Sequence, residues 1–107
     1  MKIVDIIITG HILNVETKLI KSVYYFTGKY KRVKIGITNN PERRAQEHRK
    51  TGKWKKMIVK YYTTSVDYIN AIERIIIKHH WDYIENKVAG GGGPNGTGPY
   101  YLYFLVS

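Results

Sequence analysis

Gly36-Ile37-Thr38-Asn39-Asn40-Pro41-Glu42-Arg43-Arg44-Ala45-Gln46-Glu47-His48 reads as the end of a strand running into a helix. Asn40 has the short polar side chain that caps a helix. Pro41 suits the first helical position, where a backbone N–H would have no partner anyway. The spacing predicts a helix from Pro41 to about Lys50, ended by Gly52. Little in it is apolar besides Ala45, so it gains little from burial. Arg44 and His48 are four residues apart and share a face. Such a cationic face is a candidate wall for phosphate groups; the plainer reading is a solvated helix held by its caps.

Working outward, Arg32 to Thr38 (RVKIGIT) is a strand, and Ser22 to Thr27 (SVYYFT), aromatic and β-branched, predicts another. Gly28-Lys29-Tyr30-Lys31 would turn the chain so that the two pair as a hairpin. Lys2 to Leu13, rich in Ile and Val and broken by Gly10, suggests a strand or a hairpin. Its first residues carry Asp5 and no small-residue cleavage site, so they read as a strand and not a signal peptide. Downstream, Trp54 to Thr63 has strand composition, and Val66 to about Glu85 carries a 3.6-residue apolar period. Ala89 to Pro99 is glycine-rich and must be a loop, and Tyr100 to Val106 (YYLYFLV) closes the chain as an apolar strand. The expectation is an α+β fold over residues 1–107, one domain, with a small, mainly antiparallel sheet and two principal helices packed on it.

The 18 Lys and Arg exceed the 8 Asp and Glu by ten. Between Lys29 and Lys60 stand twelve Lys or Arg and only Glu42 and Glu47, so the whole surplus lies there. A concentrated basic field attracts a polyanion. Nucleic acid is favoured over an anionic membrane or a solvated face, with Arg43, Arg49, Lys50, Lys53 and Lys55 as contacts. There is no cysteine, which excludes disulfides, thiolate metal sites and thiol nucleophiles. That fits a reducing, cytoplasmic setting. No 18-residue apolar run exists to span a membrane.

The long C-terminal helix holds one exception to its own pattern. With Ile69 at zero on a wheel of about 100° per residue, Ile72, Ile76, His80 and Tyr83 fall within about 60°. Asp67, Arg74, Lys78, Asp82 and Glu85 cluster opposite. Glu73 falls about 40° from Ile69, inside the apolar stripe. A carboxylate there costs several kcal/mol unless it is paired, protonated or bound to a cation. It is either a boundary residue reaching solvent or a structural arginine, or a ligand aimed at a divalent ion, and Mg²⁺ often uses only one or two carboxylates plus water. His79 and His80 do not converge on a metal, since adjacent helical residues diverge by about 100°. Gly90 to Gly96 lacks the Gly-Lys-Ser/Thr ending of a phosphate-binding loop.

These pieces, in this order, resemble the GIY-YIG nuclease family. The resemblance covers about Ser22 to Asn86, and its most specific part is the Gly36-to-His48 segment followed by Thr51-Gly52-Lys53-Trp54. It implies that Ser22-Val23-Tyr24 stands at the GIY position, with Tyr24 as the catalytic tyrosine. Lys34-Ile35-Gly36 stands at the YIG position, with Lys34 in place of the second tyrosine. A cation beside Tyr24 would favour its phenolate. Arg44 matches the catalytic arginine, His48 a histidine one turn on, and Glu73 the metal-binding glutamate. Asn86, or by competition Asn95, matches a later asparagine. The implied activity is metal-dependent endonucleolytic cleavage of DNA, RNA not being excluded, with Mg²⁺ or Mn²⁺ on Glu73. A homodimer would supply two active sites. Mobile-element, phage or restriction settings suit such a chain. The alternatives are a non-catalytic nucleic-acid-binding module on the same fold, motivated by Lys34, and a structure-specific repair nuclease that needs a partner.

Overall fold

Gly10, at φ +126°, separates strand β1 (Lys2–Ile8) from helix α1 (Ile12–Lys29). The computed structural model describes residues 1–80, 84 and 97–107. Then follow β2 (Val33–Thr38), α2 (Pro41–Arg49), β3 (Lys56–Thr63), α3 (Val66–His79) and β4 (Tyr100–Val106). The class is α+β, as expected. Two elements differ: α1, and the end of α3, which stops at His79 where the helix was expected to run to about Glu85.

The expected strand Ser22–Thr27 lies inside α1, so the hairpin expected with Arg32–Thr38 is not formed. The physical reason is periodicity. Val15, Leu19, Val23 and Phe26 are the buried residues of α1, at spacings of four, four and three. That stripe continues unbroken through the β-prone stretch, and burial along it outweighs the small helix penalties of Val, Tyr and Phe. His11 caps the helix by accepting a hydrogen bond from the Leu13 N–H at 3.1 Å. Among the described residues three helices therefore flank the sheet, where two were expected.

The sheet order is β1-β3-β4-β2. β1 runs parallel to β3, while β4 is antiparallel to both β3 and β2, so the sheet is mixed. The last strand is thus a central one, and β2 is an edge. Alternation along the strands gives each face its own core. Val33 and Ile35 of β2, Ile58 of β3, and Leu102, Phe104 and Val106 of β4 pack with the buried residues of α1 and α3. On the other face Met57, Val59, Tyr103 and Leu105 pack with Ala45 of α2. Ala45 is the one buried residue of that helix, as its composition predicted. Its start is fixed by Asn40, whose Oδ1 accepts from the Arg43 N–H at 3.1 Å, and Gly52 follows its end at φ +67°. Among the described residues no helix is long and apolar enough to cross a membrane.

Candidate active site

The site is built around a residue on β4. Tyr103 pairs with Gly36 of β2 in the antiparallel register. A Cβ on Gly36 would run into the ring carbons and hydroxyl of Tyr103. A glycine in a strand often marks such a close approach, and here it lets a buried aromatic ring lie across the edge strand.

Its hydroxyl meets two side chains of α2. Arg44 Nε donates to Tyr103 Oη at 3.4 Å, and His48 Nε2 lies 3.2 Å from the same oxygen. Arg44 and His48 do share a face, and the phenol stands between them. Burial pushes the Tyr103 hydroxyl above its ordinary pKa, with Arg44 pulling the other way, so the phenol stays protonated at neutral pH. Burial also pushes His48 below 6.5, and the charges of Arg44 and Lys34 push in the same direction. His48 is therefore neutral at pH 7. Arginine can only donate, so Oη accepts from Arg44; with the His48 proton on Nδ1, the chain runs Arg44 N–H to Oη, then Oη–H to His48 Nε2.

The surrounding charges hold this arrangement. The Glu47 carboxylate pairs with the Arg44 guanidinium and stands 4.0 Å from Arg43 Nε. Asn39 Oδ1 accepts from Arg43 Nη2 at 3.0 Å. Lys34, half-buried on β2, is close enough to His48 to act on its charge. Glu73 belongs to α3, whose apolar stripe packs on the opposite face, yet its carboxylate is close enough to oppose ionisation of Tyr103. Burial pushes Glu73 itself above its ordinary value, with Arg74 opposing.

Among the described residues no three His, Asp or Glu gather into a cation cage. The donor on offer is the single half-buried carboxylate of Glu73. Such a set fits Mg²⁺, which retains much of its water and takes further oxygens from a phosphate. Burial disfavours the charge of Glu73, and a bound cation would relieve that cost.

Tyr24 is elsewhere. It is exposed on α1, with its ring edge-on to buried His80 at 4.4 Å between centroids, on the face of the sheet away from Arg44 and His48. Of the expected contacts, Lys50, Lys53 and Lys55 are exposed, and Arg43 is held by Asn39 and Glu47. Arg49 donates from Nε and Nη2 to the Met1 carbonyl at 3.2 and 3.1 Å, which ties α2 to the start of β1. Asn86 and Asn95 lie outside the described residues, as does most of the expected glycine loop. Tyr103 was the residue missed. The signal was Gly36 within Ile35-Gly36-Ile37, a strand glycine waiting for a large neighbour.

A family model, the T5orf172 domain, matches residues 20–90. That span runs from within α1 through α3 and stops short of β4, so Tyr103 lies outside it. Among curated proteins and among solved structures there is no match.

Proposed function

The chain belongs to the T5orf172 domain family, a GIY-YIG-like, nuclease-associated fold, and on that premise we propose that it is a metal-dependent endonuclease acting on DNA. The observation that carries the proposal is the hydrogen-bonded group of Arg44, Tyr103 and His48 on the basic α2 side, within the electrostatic reach of Glu73.

Hydrolysis needs a water deprotonated as it attacks phosphorus, and charge on the phosphoryl oxygens neutralised. Neutral His48 is the base at the end of a relay. As the water gives a proton to Tyr103 Oη, the phenol passes its own to His48 Nε2, so no free phenolate is required. That removes the difficulty of a tyrosine whose ordinary pKa is near 10. Arg44 would turn its guanidinium from Glu47 to the non-bridging oxygens, a task suited to its fixed fork of donors. Glu73 would hold Mg²⁺ or Mn²⁺, which when bound supplies Lewis-acid polarisation of the phosphate. Lys34 adds to the burial of His48 and the charge of Arg44 in disfavouring its protonation. The tyrosine of this mechanism is Tyr103 in place of Tyr24. Lys50, Lys53 and Lys55 would hold flanking phosphates, and a homodimer would bring two sites to the two strands.

Plasmid cleavage across Mg²⁺ and Mn²⁺ tests the reading. Wild type should nick or linearise DNA only with the metal, and Glu73→Ala should not. Tyr103→Phe should lose most activity while Tyr24→Phe keeps it. Metal-independent DNA binding with no cleavage by any of these proteins would leave the binding-module reading instead.

A further inference from the structure

A second cleft of about 270 Å³ opens on the α1 face of the sheet, between β1, β3 and the last turns of α1. No residue of α3 lines it. Its walls combine two chemistries. Lys29, Lys56 and Lys60 all line it, and among the described residues no acidic one does. Between them lie apolar surfaces: Ile58 on the floor, Ile6 at 51% exposure on β1, and Tyr25 at 59% exposure on α1.

None of these lysines meets a carboxylate among the described residues. Lys29 Nζ lies 3.4 Å from the Tyr25 hydroxyl and 5.6 Å from the centre of its ring, so it is held at the mouth by a neutral group. Lys60 is half-buried, and that burial lowers its pKa with no anion to offset it. Three lysines lining one cleft, with no carboxylate paired to them among the described residues, make a site for an anion. The exposed ring and aliphatic side chains beside them add a surface for something flat and apolar. The cleft lies just below the range of about 300–1,000 Å³ typical of ligand sites, which suits one small unit and not an extended cofactor.

We propose that this cleft binds a single nucleotide unit with its base unstacked, the phosphate among Lys29, Lys56 and Lys60 and the base against Tyr25 and Ile6. Aromatic platforms beside a basic groove bind single strands in this way, without sequence preference. The unit is part of a single-stranded nucleic acid or a free mononucleotide, since both carry the same chemistry. The inference does not rest on cleavage. The cleft lies across the sheet from Arg44 and Tyr103, so it would capture a displaced strand or a tail remote from the α2 face.

Binding of oligothymidylate, thymidine monophosphate and inorganic phosphate to the full chain, measured by titration calorimetry in chelator, tests this with no contribution from metal or hydrolysis. Oligothymidylate should bind, and Lys56→Gln with Lys60→Gln should weaken it by about tenfold or more and flatten its salt dependence. Lys56→Arg with Lys60→Arg should restore it. Tyr25→Ala should weaken both nucleotide probes and leave phosphate unchanged. If the monophosphate matches the oligonucleotide in affinity, the free nucleotide is the ligand; if it is much weaker, the strand is. Thermal melting confirms that each variant folds. The proposal is overturned if folded Lys56→Gln/Lys60→Gln binds oligothymidylate as wild type does. It is equally overturned if phosphatidylserine vesicles bind through these lysines and nucleotides do not.

Discussion

The two faces of the sheet are built on opposite terms. On one, α1 and α3 bury apolar stripes against Ile35, Ile58, Leu102 and Phe104. On the other, α2 buries Ala45 alone and is held by its Asn40 cap, by the contact of Arg49 with Met1, and by two hydrogen bonds to one tyrosine. The first face makes the fold. The second displays exposed Lys50, Lys53 and Lys55 beside the arginines that tie α2 down. A helix that contributes little to the core can present arginine and histidine to a phosphate, because only Ala45 is committed to burial.

Breaking the first face should produce the largest change in stability. Ile72→Ala empties a fully buried site between α3 and the sheet and should lower the unfolding free energy by about 2–5 kcal/mol in urea melts. Cleavage per folded molecule should survive. Breaking the second face should do the reverse. Arg44→Ala should reduce kcat by about 10²–10³-fold, as loss of a charge-stabilising donor does. Its half-exposed pairing with Glu47 contributes less than about 1 kcal/mol and its bond to the Tyr103 hydroxyl about 1 kcal/mol, so the melt should move less than for Ile72→Ala. An equal loss in both assays would show that the faces are not separable.

Gly36→Ala is the substitution that should couple them. The new methyl displaces Tyr103, so it should cost about 1–3 kcal/mol of overpacking and most of the activity together. Asn40→Ala removes the cap and should cost about 1 kcal/mol, seen as earlier fraying of α2 by hydrogen exchange. The subtlest effect is on pH. His48 has a folded pKa below its unfolded value, so the unfolded chain takes up protons first as pH falls. Stability should therefore decline as pH is lowered through 6.5 towards the depressed value, and then level off. Buried His80 is shifted the same way, so His48→Gln should make this limb shallower without abolishing it.

Much of this was legible in the sequence where one local rule sufficed. Asn40-Pro41 marked the start of α2, and Tyr100 to Val106 was a strand by composition. Glu73 was conspicuous because its neighbours on the wheel obey the apolar pattern. α1 was not legible from Ser22 to Thr27, because five residues of Val, Tyr, Phe and Thr after Ser22 look like a strand. The deciding stripe starts at Val15, well outside that window. Tyr103 was hidden for a different reason. Six of the seven β4 residues are buried, so there is no polar alternation to say which face each serves. Its partners Arg44 and His48 come from more than fifty residues earlier, and that pairing depends on β4 entering the centre of the sheet.

That central strand has a kinetic consequence. β4 is the last of the seven elements, yet it joins β2 to β3. Until it docks, those two strands expose unpaired edges, and the folding barrier includes bringing together strands that are far apart in sequence. The same docking event delivers the phenol to Arg44 and His48. Chains caught short of it lack the contact of Tyr103 with Arg44 and His48, so on the proposed mechanism cleavage would begin only when β4 locks in.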